Sequence, residues 1–179
     1  MRHPKTLLLS ILMIVFLSQS LLAAETAADP KAESASTEIE WLDYDKGLIK
    51  AKEDNKHIFI DFTAKWCGWC KKLDRETFAD PRVIKMLDEY FVSIKVDGES
   101  KRKLNIDGYM ITEQDLTRRE YGVRGFPALW FLKPDGGKVG PIKGYVPADK
   151  FLEALTFVKD RKYDTASQPD SSAEKSGGK

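Results

Sequence analysis

The chain is poor in the residues that build metal centres and disulfide scaffolds: two cysteines and two histidines in 179 residues. A small fold stapled by several disulfides is excluded. A closed structural zinc site usually takes four ligands. The two histidines, His3 and His57, stand far apart, so two cysteines do not complete such a site within one chain. Charge imbalance is lacking too, with a net charge of +1 from 29 basic and 28 acidic side chains. Nothing in that balance argues for nucleic acid or for a strongly acidic partner. Internal repeats are absent. The hydrophobic fraction of 42% is a little low for a globular chain, and polar tails account for it.

What is present begins with a targeting pattern. Arg2, His3 and Lys5 make a basic start, Leu7 to Leu17 is almost wholly apolar, and Ala23 and Ala24 offer small residues for cleavage. That layout predicts a secretory signal over residues 1–24 and a periplasmic or otherwise exported protein. The alternative is an uncleaved anchor, because Thr6 to Ala24 is near the ~20 residues that span a bilayer. Ser18, Gln19 and Ser20 interrupt the apolar core and favour cleavage. No cysteine follows the run, so lipid attachment at a cysteine has no acceptor. Residues 25–38, rich in Ala, Ser, Glu and Thr, read as a flexible linker.

Both cysteines fall in Lys65-Trp66-Cys67-Gly68-Trp69-Cys70-Lys71-Lys72, between an apolar run and a helix-like stretch. A helix start presents unpaired N–H groups worth roughly half a positive charge. A thiolate at Cys67 would be stabilised there, and the thiolate is the reactive form. Cys70 lies about one turn on, within reach of a mixed disulfide at Cys67. A purely structural staple is the alternative. It gains little, because a disulfide stabilises mainly in proportion to the loop it closes.

The rest of the chain supplies a frame for that pair. Trp41 to Asn55 has helical spacing. His57 to Thr63 is apolar on both faces, as in a central parallel strand. Asp61 breaks the pattern and by alternation points inward with Phe59 and Thr63. A buried carboxyl has a raised pKa and could accept a proton beneath the dithiol; a strand-end Asp that reaches water or caps the next helix is the alternative. A helix is expected from Cys67 to about Phe78, and another after the Asp80 cap with Pro81 at its first position. Phe91 to Asp97 reads as a strand. Gly98 to Glu120 reads as a long loop, with a helix capped by Thr112 over its last part. Gly122 to Pro127 suggests a tight turn into a strand over Ala128 to Leu132. Lys133 to Gly137 is a hairpin turn, Lys138 to Val146 the returning edge strand, and Pro147 opens a final helix. From Arg161 the chain reads as a disordered polar tail.

This order resembles the thioredoxin fold, an α/β architecture with a central mixed sheet of four to five strands flanked by helices, over roughly residues 39–160. Asp61-Phe62-Thr63-Ala64-Lys65-Trp66-Cys67-Gly68-Trp69-Cys70 resembles the thioredoxin active-site run, and Tyr121-Gly122-Val123-Arg124-Gly125-Phe126-Pro127 resembles the family's cis-proline segment. The resemblance implies that Cys67 is an exposed nucleophile and that Cys70 is buried and resolves the mixed disulfide. It further implies that Asp61 assists proton transfer at Cys70. Pro127 is expected to be cis and to face the cysteines, Phe126 to offer backbone groups to an extended substrate, and Trp66 to border the site. Trp69 stands where thioredoxin has proline and oxidising relatives have histidine. Lys103 to Asp107 echoes a thioredoxin strand motif, but Phe91 to Asp97 already fills that place, so the echo is taken as chance. Exported thioredoxin-like reductases, including the C-terminal domain of the membrane electron transporter DsbD, look like closer relatives than cytosolic thioredoxin.

The expected reaction is thiol–disulfide exchange with protein partners. It needs no cofactor beyond the redox-active Cys67–Cys70 pair. Neither Gly68 nor Trp69 donates from a charged side chain, so a fairly reducing protein is expected, supplied by a membrane electron donor of the DsbD type. The alternatives are an oxidase or isomerase of secreted proteins, a binding module that uses Trp66, Trp69 and Pro127 with little turnover, and copper or zinc carriage by the dithiol.

Overall fold

Seven residues, His57–Thr63, form the middle strand β2 of the computed structural model, which describes residues 36–166. The expected signal, residues 25–35 of the expected linker and the chain from 167 onward lie outside the described residues. Strand β2 pairs in parallel with β3 (Phe91–Asp97), which pairs in parallel with β1 (Trp41–Leu42). On its other side β2 pairs antiparallel with β6 (Ala128–Leu132), which pairs antiparallel with β7 (Lys138–Lys143). The result is one mixed five-stranded sheet in the order β1-β3-β2-β6-β7.

Strand alternation sorts the core into two layers. Ile58, Ile60 and Phe62 of β2 join Val92, Ile94 and Val96 of β3 on one face, with Tyr44 and Ala51 of helix α1 (Tyr44–Asp54). Phe59 points the other way, with Leu129 and Phe131 of β6. It packs there with Leu73 of α2 (Gly68–Glu76), Val83 and Leu87 of α3 (Pro81–Tyr90), and Phe151 and Leu155 of α5 (Ala148–Lys159). Burial of strand and helix faces on both sides of the sheet is the main stabilising term. Asp80 caps α3 by accepting from the Arg82 N–H at 2.8 Å, and Pro81 takes the first helical position.

Three segments differ from the sequence-based expectation. Trp41 and Leu42 are not helical but pair with Ser93 and Ile94, sending Trp41 to one layer and Leu42 to the other. Gly98 to Glu120 is not a long loop. It carries a hairpin, β4 (Lys103–Ile106) and β5 (Tyr109–Thr112), turned at Asp107 and Gly108, both with positive φ. The alternation is masked because Leu104 and Ile111 are buried and Ile106 only half-buried against the core, while Tyr109 and Met110 are exposed. Thr112 does cap a helix, the one-turn α4 (Glu113–Asp115), but the chain then winds into a π-helical turn over Leu116–Glu120. Beyond Asp160 the chain is still structured: α6 (Lys162–Ala166) buries Tyr163, whose hydroxyl lies 2.8 Å from His57 Nε2. A single aromatic docking on β2 outweighs the polar composition of that stretch.

Candidate active site

Cys67 is the N-cap of α2, and Cys70 lies within its first turn. The two are joined in a disulfide. The Cys70 backbone N–H donates to Cys67 Sγ at 3.1 Å, so one of the helix's unpaired donors already points at the sulfur. On reduction the same N–H and the helix dipole favour negative charge on Cys67.

Cys67 is not exposed in this oxidised state. It is 2% accessible and Cys70 3%. The cover comes from elsewhere in the chain: Phe126 packs on the cluster of Ala64, Cys67 and Cys70. Gly98 explains why Phe126 sits so close. A Cβ on Gly98 would stand 2.4 Å from the Phe126 ring, so only glycine fits behind it. Trp66 meets the same ring edge-on, with centroids 6.1 Å apart, and its Nε1–H donates to Glu99 Oε2 at 2.6 Å. The short Gly98-Glu99 stretch after β3 therefore backs both aromatic neighbours of the disulfide. The Phe126–Pro127 peptide bond is cis, and the Pro127 carbonyl accepts from the Gly144 N–H at 2.9 Å.

Trp66 and Trp69 themselves remain 66% and 57% exposed. Trp69 lies 5.8 Å from the Tyr145 ring, and Lys72 Nζ sits over both rings at 5.3 and 4.6 Å. Tyr145 donates to Glu76 Oε2 at 2.7 Å, which fixes the far side of this platform.

Asp61 points inward, on the layer that holds α2, and is 1% exposed. Its Oδ1 has no hydrogen-bond partner and its Oδ2 is 3.5 Å from Lys95 Nζ. Lys95 is shared, with a shorter 2.7 Å bond to Asp74 Oδ1 on α2. Burial pushes the Asp61 carboxyl up to about 6; Lys95 opposes that rise and Asp74 adds to it. At neutral pH such a group is mostly ionised yet within about one pH unit of half-protonation, which suits accepting a proton.

Lys95, Asp74, Gly98, Glu99 and Tyr145 carry no motif that singles them out. One signal was available for Lys95. Asp61 and Lys95 are each the fifth residue of seven-residue strands, and those strands pair in register from His57 and Phe91 onward.

Comparison with known proteins agrees with this geometry. A sequence family described as a thioredoxin-like domain matches residues 44–159. The chain is 34% identical over 126 residues to the thiol:disulfide interchange protein DsbD of Campylobacter jejuni, covering 68% of this chain and 20% of that one. It is 31% identical over 134 residues to the DsbD protein of Neisseria meningitidis, covering 70% of this chain and 20% of that one. The chain thus spans about a fifth of the length of these relatives. The solution structure of a thioredoxin from Thermus thermophilus superposes with a TM-score of 0.59 at 27% identity, covering 73% of this chain and 93% of that one.

Proposed function

Because the chain belongs to the thioredoxin-like domain family, we propose that it is an exported thiol–disulfide oxidoreductase that reduces protein disulfides. The observation that carries this reading is the Cys67–Cys70 disulfide at the N-terminus of α2, with a helix N–H on the Cys67 sulfur.

The proposed steps use the residues described above. The Cys67 thiolate attacks one sulfur of a partner disulfide, forming a mixed disulfide and releasing the other partner sulfur as a thiolate. Cys70 gives its proton to Asp61, and the resulting thiolate attacks Cys67 Sγ. The Cys67–Cys70 disulfide forms, the partner leaves with both sulfurs reduced, and two electrons have passed to it. Trp66, Trp69 and the Phe126–Pro127 segment border the partner chain. The protein leaves the reaction oxidised, so it needs an electron source in its compartment, and the relatives of the DsbD type suggest a membrane donor. The basic and then apolar pattern of residues 1–24 supports a reaction outside the cytosol.

Direction rests on thiolate stability. Proteins of this kind span roughly −270 to −120 mV, and about 30 mV is 1.4 kcal/mol. Gly68 and Trp69 add no charged donor to the Cys67 thiolate, which keeps the pair toward the reducing end.

Cys70→Ala in the full chain tests the reading. The variant should accumulate partner proteins disulfide-linked to Cys67, releasable by dithiothreitol. If nothing is linked and the variant retains the same partners as the unmodified chain, the protein is a binding module and the proposal is wrong.

A further inference from the structure

One side of the sheet carries an open cleft of which the exchange steps above use only the Phe126–Pro127 end. It encloses about 840 Å³ between the Tyr121–Pro127 segment and the face of β6 and β7. Its floor follows from strand register: Trp130 stands opposite Pro141, and Ala128 opposite Lys143, on one face of the antiparallel pair. Helix α1 packs over β2 and β3 on this side, whereas β7 is the sheet edge, with Pro141 and Lys143 exposed. Phe126 and Pro127 form one end of the cleft, and Phe126 also packs on the disulfide, so the cleft begins beside the active site.

Its charge is of one sign. Arg124 and Lys143 line it, both are exposed, and neither has an ion-pair partner among the described residues. Lys138 lies at the same face, its Nζ 4.6 Å from the Tyr121 ring and 5.7 Å from the Trp130 ring, and it donates to the Glu120 backbone carbonyl. No carboxylate lines the cleft among the described residues. Two unneutralised cations beside an aromatic floor match a partner that brings carboxylates and an apolar side chain together.

We propose that this cleft binds an extended acidic segment of the partner protein, adjoining the disulfide that enters the active site. Arg124 and Lys143 read its carboxylates, and the Trp130–Pro141 floor takes one apolar side chain. The assignment specifies the partner chemistry of the reaction proposed above and rests on that reading.

The test uses the oxidised full chain and a cysteine-free peptide with glutamates around a central leucine, against the same peptide with glutamines. Affinity is read by calorimetry, and the contact surface by amide chemical shifts. At low salt the glutamate peptide should bind about ten-fold more tightly, equivalent to about 1.4 kcal/mol. That preference should shrink as salt rises, because exposed charges are screened. It should disappear in the double variant Arg124→Gln, Lys143→Gln, and shifts should fall on residues 121–130 and 141–144. Equal affinities, a preference that survives the double substitution, or shifts elsewhere would overturn the proposal. Lacking cysteine, the peptide reports on the cleft independently of exchange. A chain that exchanges disulfides without the preference refutes the cleft assignment alone. A chain that binds the peptide but exchanges nothing refutes the assignment of a redox substrate to the cleft.

Discussion

Replacing Asp61 by asparagine removes the charge from a carboxyl that is almost fully buried, with Oδ1 unpartnered and Oδ2 3.5 Å from Lys95. In the folded protein this group titrates near 6 against an ordinary 3.8, burial being the main cause. The native state therefore holds its proton more tightly than the unfolded chain. Below the unfolded value both states are protonated and ionisation costs nothing. As pH rises toward 6 the unfolded chain ionises first, and stability falls. Above that range both are ionised, and the buried carboxylate destabilises the fold by about 3 kcal/mol, at ~1.36 kcal/mol for each tenfold difference in proton affinity. Asn has nearly the same shape and cannot ionise. Asp61→Asn should therefore match the parent near pH 2.5 and exceed it by about 3 kcal/mol near pH 8, or about 10 °C in Tm. Thermal and urea unfolding of both oxidised proteins across that range reads the difference. A gain that does not change with pH, or a variant less stable than the parent at high pH, would refute the reasoning.

The other predictions concern the neighbours of the disulfide and the end of the domain. Lys95→Met removes the cation that holds the Asp61 carboxyl down. The pH midpoint of mixed-disulfide resolution should then move upward by about one pH unit, measured by stopped-flow fluorescence. Gly98→Ala places a methyl 2.4 Å from the Phe126 ring and 2.9 Å from Thr117 Cγ2. It should cost about 1–3 kcal/mol in urea unfolding and increase the rate at which a small thiol reaches the disulfide. Tyr163→Phe removes the 2.8 Å contact with His57 and should cost about 1 kcal/mol in the same assay, whereas a disordered tail would show no change.

How far the site can be read from the chain depends on where each interaction originates. Asp61 and the two cysteines are readable because their signals are local: a polar break in a strand apolar on both faces, and a thiol pair spaced by one helical turn. Phe126 and Pro127 are readable as part of a contiguous run. The burial of Cys67 is not, since the ring that covers it comes from a distant loop and is held there by Gly98. Strand β1 has only two residues and exists through its pairing with Ser93 and Ile94, so no local periodicity announces it. The β4–β5 hairpin hides because its outer face is charged or exposed, although Asp107-Gly108 is a recognisable hairpin turn. Lys95 becomes visible only through the parallel register of β2 and β3, and Asp74 only through the packing of α2 above them.

The most direct test of the central claim is the reduction potential of the Cys67–Cys70 pair. It is obtained by equilibrating the full chain with glutathione buffers and following tryptophan fluorescence. A reductase in which helix donors alone steady the Cys67 thiolate should titrate below about −200 mV. A value above about −150 mV would contradict the account and mark the protein as an oxidant of its partners.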